Sequence, residues 1–506
     1  MTLLFPATGP TRLLLDRPDD GLPIVRRIGG TPDAAALTAH RGTPLLVEHS
    51  RGSFARPGLR GHRPDGSAWS TRFVTTSVVD GQRLVIEAAD AVAALALRTE
   101  LEALAGGSLR ARHTVTNTGA TPYVVNGLEL TVPVPDRCGE LLDFTGRHER
   151  ERVPQRHSLT DGLWLRETRR GRSGLEAPTL LVAGTPGFGF ASGEVYSVHV
   201  ACSGNSVLRA ERGPAEGTTI GGGELLQPGE ITLAPGESYE MPWVVITAGH
   251  GLDELASAAH SWQRTLGAHP AEARVTLNVW EAVYFDHDLD RLRTIADRAA
   301  RIGVERFVLD DGWFRHRRDD RAGLGDWWVD EHVWPDGLDP LIDHVRALGM
   351  EFGLWFEPEM VSPDSDLYRA HPDWILQSGD RLPLLHRNQL VLDLTRDDVW
   401  TYLRDRVSAV LSDHAIGYVK WDHNRDLLEA GSNARHGAAV AHEQNLAYYR
   451  LLDDLRVRHP SVAWESCASG GGRIDLQVIE HVQRVWTSDM TDALSRQQIQ
   501  RWTGQL

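Results

Sequence analysis

Two rhythms of apolar and polar positions run along this chain, and one gives way to the other near Pro270. Before it come short stretches of strand character, such as Ala111-Arg112-His113-Thr114-Val115-Thr116 and Tyr123-Val124-Val125-Asn126, with the turn residues Asn117-Thr118-Gly119 between them. Asp80-Gly81 likewise precedes a stretch at 83–87. Many short strands punctuated by Gly and Pro predict an antiparallel β-sandwich. Segment 91–104 fits a strand and a helix equally, and the Arg/His run 147–152 is expected on a solvated face. At 252–262, Leu252, Leu255, Ala259 and Trp262 recur at helical spacing and predict a connecting helix.

After Pro270, strand-like and helical stretches alternate. A strand at 275–280 leads to a helix carrying Leu289, Leu292, Ile295, Ala296, Ala299 and Ile302, with Gly303 where a C-terminal cap belongs. Further strands are expected at 307–309, 352–356, 416–422, 462–464 and 485–487. The helices between them lie around 341–348, 399–411, 438–457 and 474–481. Such alternation means parallel strands joined by right-handed crossovers. Nearly every strand ends in acidic or aromatic residues, which is where a (β/α)8 TIM-type barrel builds its site. An open doubly wound sheet would instead bind at a Gly-rich turn after its first strand, and none follows 275–280. The fold class is therefore multidomain β plus α/β. It comprises an N-terminal β-sandwich at 1–251, a linker helix and connection at 252–272, and an incomplete barrel at 273–506 with about six of eight strands.

Charge narrows the partners. Lys+Arg 53 against Asp+Glu 69 gives a formal charge of -16, so nucleic acid and anionic membranes are disfavoured and a neutral ligand is expected. No run of about 18 apolar residues suggests a membrane span, and the start lacks the basic-then-apolar pattern of a secretion signal. Cys138, Cys202 and Cys467 are far apart, which predicts reduced thiols and a cytoplasmic location. No His, Cys, Asp or Glu spacing suggests a metal site, and no cofactor is expected.

One residue type is nearly absent: lysine occurs only at 420, in Lys420-Trp421-Asp422. At the end of a strand its ammonium and the Asp422 carboxylate project to the same side, and a nearby cation keeps a carboxylate ionised, as a nucleophile requires. The alternative is a structural ion pair between the two. Other acids end other strands: Glu281, Asp310-Asp311, Glu357, Glu359, Glu465 and Asp489. Converging carboxylates surrounded by Trp280, Trp313, Trp355 and Trp421 suit hydrolysis of a glycosidic bond.

Eight runs in order carry a resemblance. They are Trp280-Glu281-Ala282, Asp310-Asp311-Gly312-Trp313-Phe314, Gly325-Asp326-Trp327, Trp355-Phe356-Glu357-Pro358-Glu359-Met360, Arg387-Asn388-Gln389, Lys420-Trp421-Asp422, Glu465-Ser466-Cys467 and Trp486-Thr487-Ser488-Asp489. The chain resembles the alpha-galactosidases of glycoside hydrolase family 36 in clan D. The resemblance implies a retaining enzyme that hydrolyses terminal alpha-galactosides of the raffinose and melibiose type. Asp422 would be the nucleophile and Asp489 the acid/base, with about 5 to 5.5 Å between their carboxyl groups. Asp492 is the rival for the acid. Burial beside Trp486 is expected to raise Asp489.

By the same resemblance, Asp310 and Asp311 accept from the 4- and 6-hydroxyls and Lys420 reaches a neighbouring hydroxyl. Trp280 and Trp355 pack on the ring, and Arg387 and Asn424 complete the polar rim. Cys467, Gly470 and Arg473 form a loop near the 2-hydroxyl. The partner implied is a neutral galactoside oligosaccharide, and the assembly a homo-oligomer, tetrameric in the family. His423 replaces an apolar family residue and receives no catalytic role; Glu357 and Glu359 are equally well explained as strand-end supports.

Family members continue beyond residue 506 through two more strand-helix units and a C-terminal β-domain. The sequence therefore reads as truncated, with weak or absent activity expected beside a chain of full family length. Two further readings stay open: a transglycosylase of the raffinose and stachyose synthase type, and a catalytically impaired galactoside-binding fragment.

Overall fold

A computed structural model describes residues 2–6, 8–29, 42–214, 217–270 and 272–506. The chain forms two compact units. One is Met1–Leu266 with Ile474–Gln477 and Met490–Leu506; the other is Gly267–Arg473 with Val478–Asp489. Division thus falls at Leu266, so the helix Leu252–Gln263 belongs to the first unit, burying Leu252, Leu255, Ala259 and Trp262 as its spacing predicts.

The first unit is built of antiparallel strands in a four-stranded, a six-stranded and a ten-stranded sheet. Leu109–Asn117 shows why: buried and half-buried positions alternate along all nine residues, so one face meets the core. The ambiguous stretch resolves as strand Leu95–Ala103, paired on both sides. Glu151 and Arg152 are buried rather than solvated, and burial pulls the Arg152 guanidinium down to about 10.

The second unit contains six parallel strands in chain order: Thr276–Asn278, Arg306–Leu309, Glu351–Phe356, Tyr418–Trp421, Ala463–Ser466 and Arg484–Val485. Their register decides what each face carries. Phe307, Leu309, Phe352, Leu354, Phe356, Val419, Trp421 and Trp464 fall on one face and join the apolar core against the helices. The opposite face carries Arg306, Glu351, Tyr418, Glu465 and Arg484, then Trp355 and Lys420. Space is tight at Gly353, where a Cβ would stand 3.0 Å from both the Tyr418 and Val308 side chains. Burial of the central strands thus conceals an alternation between an apolar face against the helices and a largely polar face opposite.

Three expectations change locally. Trp280 opens a short helix, Trp280–Val283, rather than ending the first strand. Ile302 caps the helix Leu289–Arg301 and is 83% exposed, because the turn at Gly303, with φ +87°, carries the chain away from the core. The expected helix at 474–481 is only a 3-10 turn at Val478–Glu480, since Ile474–Gln477 packs with the first unit. There, Asp475 accepts from Ser203 at 2.7 Å.

Candidate active site

Backbone pairing continues one residue past the strands and brings the acids to one end of the sheet. Asp422 N–H donates to Phe356 O at 2.7 Å and Cys467 N–H to Trp421 O at 2.8 Å. Asp422 is 6% exposed, and its Oδ2 accepts from Trp355 Nε1 at 3.0 Å and Asn424 Nδ2 at 2.7 Å. Burial alone would raise this carboxyl, but the Lys420 ammonium, with bonds from Asn424, Trp355 and Cys467, outweighs it and holds Asp422 below the usual range.

The direct partner of Lys420, however, is Asp310: Nζ donates to its Oδ2 at 2.9 Å. The ammonium is thus shared rather than paired with Asp422. Burial disfavours the charged lysine, yet the carboxylates of Asp310 foremost, then Asp422 and Asp489, keep it protonated. Asp310 also accepts from Asn278 Nδ2 at 2.5 Å and from Asp311 N–H at 2.9 Å. Asp311 is clamped instead by Arg317, which donates Nε–H to Oδ1 at 2.9 Å and Nη2–H to Oδ2 at 2.8 Å. Neither aspartate caps a helix.

Asp489 accepts from Trp486 Nε1 at 2.7 Å and acts on the same Lys420 and Cys467 that feel Asp422. Asp492 caps the helix Ala493–Thr503, its side chain accepting from Ser495 N–H.

The tryptophans divide differently from expectation. Trp280 is half-buried, but Trp313, Trp355 and Trp421 are fully buried. Trp355 stacks on Phe314 at 6.2 Å between centroids and 9° between planes, so it orients Asp422 through its N–H rather than offering an open platform. Trp421 donates to Glu359 Oε1 at 2.9 Å. Glu359 is 2% exposed and also takes Arg473 Nη2 at 2.8 Å, with His423 Nδ1 3.3 Å away. Burial would raise Glu359, but Arg473 and His423 hold it far below the usual range. The Arg473 guanidinium is thereby committed to Glu359, stacked 3.8 Å over Tyr448. Arg387 is exposed with φ +52°. Gly470 has φ +80°, and its carbonyl accepts from Ala468 N–H.

Arg317, Asn278, Glu357, Gln389 and Glu359 join the site beyond the residues expected to touch sugar. The run Arg315, Arg317, Arg318 and Arg321 gave no sign of which member turns inward. Among the described residues, no group of three or more His, Cys, Asp or Glu is arranged to hold a metal ion, and no helix is long and apolar enough to cross a membrane.

With this geometry in hand, the melibiase family profile matches residues 238–506. The chain belongs to the melibiase family. The glycosyl hydrolase family 36 N-terminal domain matches residues 26–234, so both units of this melibiase chain are accounted for. It is 43% identical to an Escherichia coli alpha-galactosidase over 462 residues, covering 90% of this chain and 65% of that protein. Against other curated relatives it spans about half their length. The crystal structure of the family 36 alpha-galactosidase AgaA from Geobacillus stearothermophilus superposes with a TM-score of 0.92 at 30% identity, covering 100% of this chain and 77% of that one. AgaA has also been crystallised with stachyose and with raffinose, as variants of two aspartates 70 positions apart in its chain.

Proposed function

We propose that this melibiase chain is a retaining alpha-galactosidase that hydrolyses terminal alpha-galactosides of the raffinose and stachyose class by double displacement. One observation carries the reading: Asp422 is a buried carboxylate kept ionised by Lys420 and oriented by Trp355 and Asn424. Its carboxylate attacks the anomeric carbon, a second acid protonates the departing oxygen, and that same acid then deprotonates water, so the configuration is retained. Asp310 and Asp311, fixed by Lys420 and Arg317, keep lone pairs for sugar hydroxyls. A hydroxyl of the wrong epimer leaves those buried acceptors unmatched, which supports selection for galactose. We place the chain in the cytoplasm, as a homo-oligomer.

The test is hydrolysis of an aryl alpha-galactoside followed by NMR of the first-formed sugar anomer. Retention is expected, with loss of turnover in Asp422→Asn; an inverted product sinks the mechanism. Transfer to an added sugar instead of water marks the transglycosylase reading, and binding without turnover marks the impaired fragment.

A second reading of the acid has its own support. Asp489 shares Lys420 with Asp422, but it lies 67 positions after Asp422, whereas Asp492 lies 70 after it, the spacing of the two altered AgaA aspartates. Under that reading Asp492 is the acid and Asp489 accepts from a sugar hydroxyl. Aryl substrates with a good leaving group separate the roles. The acid's Asn variant keeps its first step on such substrates and regains turnover with azide, while the hydroxyl acceptor's variant does neither.

A further inference from the structure

Glu357 follows the third parallel strand and is fully buried. Its Oε1 accepts the backbone N–H of Asn424 at 2.5 Å, and its Oε2 accepts from Gln389 Nε2 at 3.2 Å. The Asn424 side chain donates in turn to Asp422 Oδ2 at 2.7 Å and accepts from the backbone and hydroxyl of Ser469. A single asparagine therefore joins Glu357, Asp422 and the glycine loop after the fifth strand.

We propose that Glu357 is a positioning residue that must carry a proton for the site to work, and that its ionisation, transmitted through Asn424, switches the site off at alkaline pH. The proposal rests on reading Asp422 as the nucleophile.

Three charged groups from three elements face Glu357. They are Asp422 at the end of the fourth strand, Arg387 in the loop before Gln389, and Arg317 in the loop after the second strand. Arg317 already holds both oxygens of Asp311, and Lys420 is bonded to Asp310, so neither cation is released to neutralise a second carboxylate beside Asp422. Burial first, and the charge of Asp422 second, push Glu357 up to about 8, with Arg387, Arg317 and the Asn424 bond opposing. Neutral, Glu357 leaves Asp422 as the charged member of the pair; ionised, it sets a like charge on the other side of Asn424.

Geometry supports the same reading. Glu357 is fully buried and forms no ion pair among the described residues; its two oxygens accept from the neutral N–H groups of Asn424 and Gln389. No cation in direct contact offsets a charge there, so the neutral carboxyl is the form that burial favours.

Glu357→Gln preserves shape and the acceptor for Asn424 but cannot ionise. The first measurement is urea unfolding of the native chain and this variant from pH 4.5 to 9. A carboxyl raised in the folded state contributes stability that is full below its unfolded value and lost as pH rises through about 8. The unfolding constants of the two proteins should therefore diverge by roughly tenfold or more across that window and run parallel above it. Parallel curves throughout overturn the proposal.

The second measurement is the pH profile of kcat/KM on an aryl alpha-galactoside. The native limb should fall above about pH 8, and that of Glu357→Gln should move at least one unit higher, with neutral KM changed by less than about threefold. Superimposed profiles overturn the positioning role. Asn424→Ala, which keeps the backbone bond to Glu357, should lower kcat about tenfold and leave the unfolding divergence intact. Diverging unfolding curves with no native turnover at any pH would overturn the alpha-galactosidase reading, and the switch with it, while leaving the buried proton established.

Discussion

The polar face of the six-stranded sheet has two halves that spend charge differently. Near the N-terminal ends of the strands, arginines match or outnumber the acids. Arg306 and Arg274 both bind Glu351, and Arg484 binds Glu465 at 2.9 Å. Arg484 also donates to Thr276 Oγ1 at 3.0 Å, and Arg306 lies 3.9 Å over the Tyr418 ring. At the C-terminal ends the balance reverses. Asp310, Asp311, Glu357, Glu359 and Asp422 are all buried there, served by Lys420, Arg317 and Arg473. A surplus of arginine gives each carboxylate a rigid, permanently charged partner, and at Glu465 the Arg484 guanidinium opposes the burial that pushes the carboxyl up. A surplus of carboxylates cannot all ionise alike, so neighbouring groups are driven toward different protonation states, which acid and nucleophile roles require.

The largest expected effect that would break this comparison comes from Asp422→Asn. It should remove at least about 10³-fold of kcat on an aryl alpha-galactoside, because the group proposed to form the covalent bond is gone. Its thermal midpoint should stay within a few degrees of the native chain, since one charge of a surplus has been removed. A midpoint that collapses along with activity would show that the acids of this end are structural too.

Arg317→Met should come next. Asp311 would keep its position in sequence but lose the fork that aims it, and kcat/KM should fall by roughly 10- to 100-fold, mostly through KM. An unchanged KM would mean that Asp311 does not meet the sugar. This arginine also shows how far the sequence could be read. Lys420 and Asp422 were legible because one lysine in the chain stands two residues from an acid on a strand, a relation the two-residue period fixes locally. Arg317 and Gln389 reach the site from loops, and nothing in local spacing says which arginine of four turns inward. The sandwich strands and barrel helices were legible for the same local reason. Trp355, expected to pack on the sugar ring, is buried, because composition records that an indole is present and not which way it faces.

The N-terminal half should respond in the opposite manner. Arg306→Met leaves Glu351 with Arg274 alone and should cost about 2–4 kcal/mol in urea unfolding, while kcat per folded molecule changes by less than about twofold. Adding Glu351→Met to it should return much of that loss, because the stranded carboxylate is removed as well. A double variant no more stable than the single one would show that the Arg274 contact already satisfies Glu351.

Cys467 gives the smallest and sharpest comparison, because it brings a neutral donor to the acid-rich end. Burial first, then the charge of Asp422, push its thiol well above the usual range, so it remains a protonated S–H that contributes a bond to Asp422. Native protein should therefore react slowly with iodoacetamide at pH 8, as should Cys138 and Cys202, which are also buried. Cys467→Ala removes one of several groups that hold Asp422 ionised while Lys420, Asn424 and Trp355 remain, so kcat/KM at neutral pH should fall only about two- to fivefold. Because the folded carboxyl is depressed, its contribution to stability is present above the ordinary aspartate value and lost as pH falls below it. The variant should lose that contribution at a higher pH than the native chain, and an unshifted acid limb of unfolding would show that the thiol does not bond Asp422. Rapid labelling of Cys467 in folded protein would show a thiolate there instead, a further negative charge that an acid-rich end could not carry without another cation.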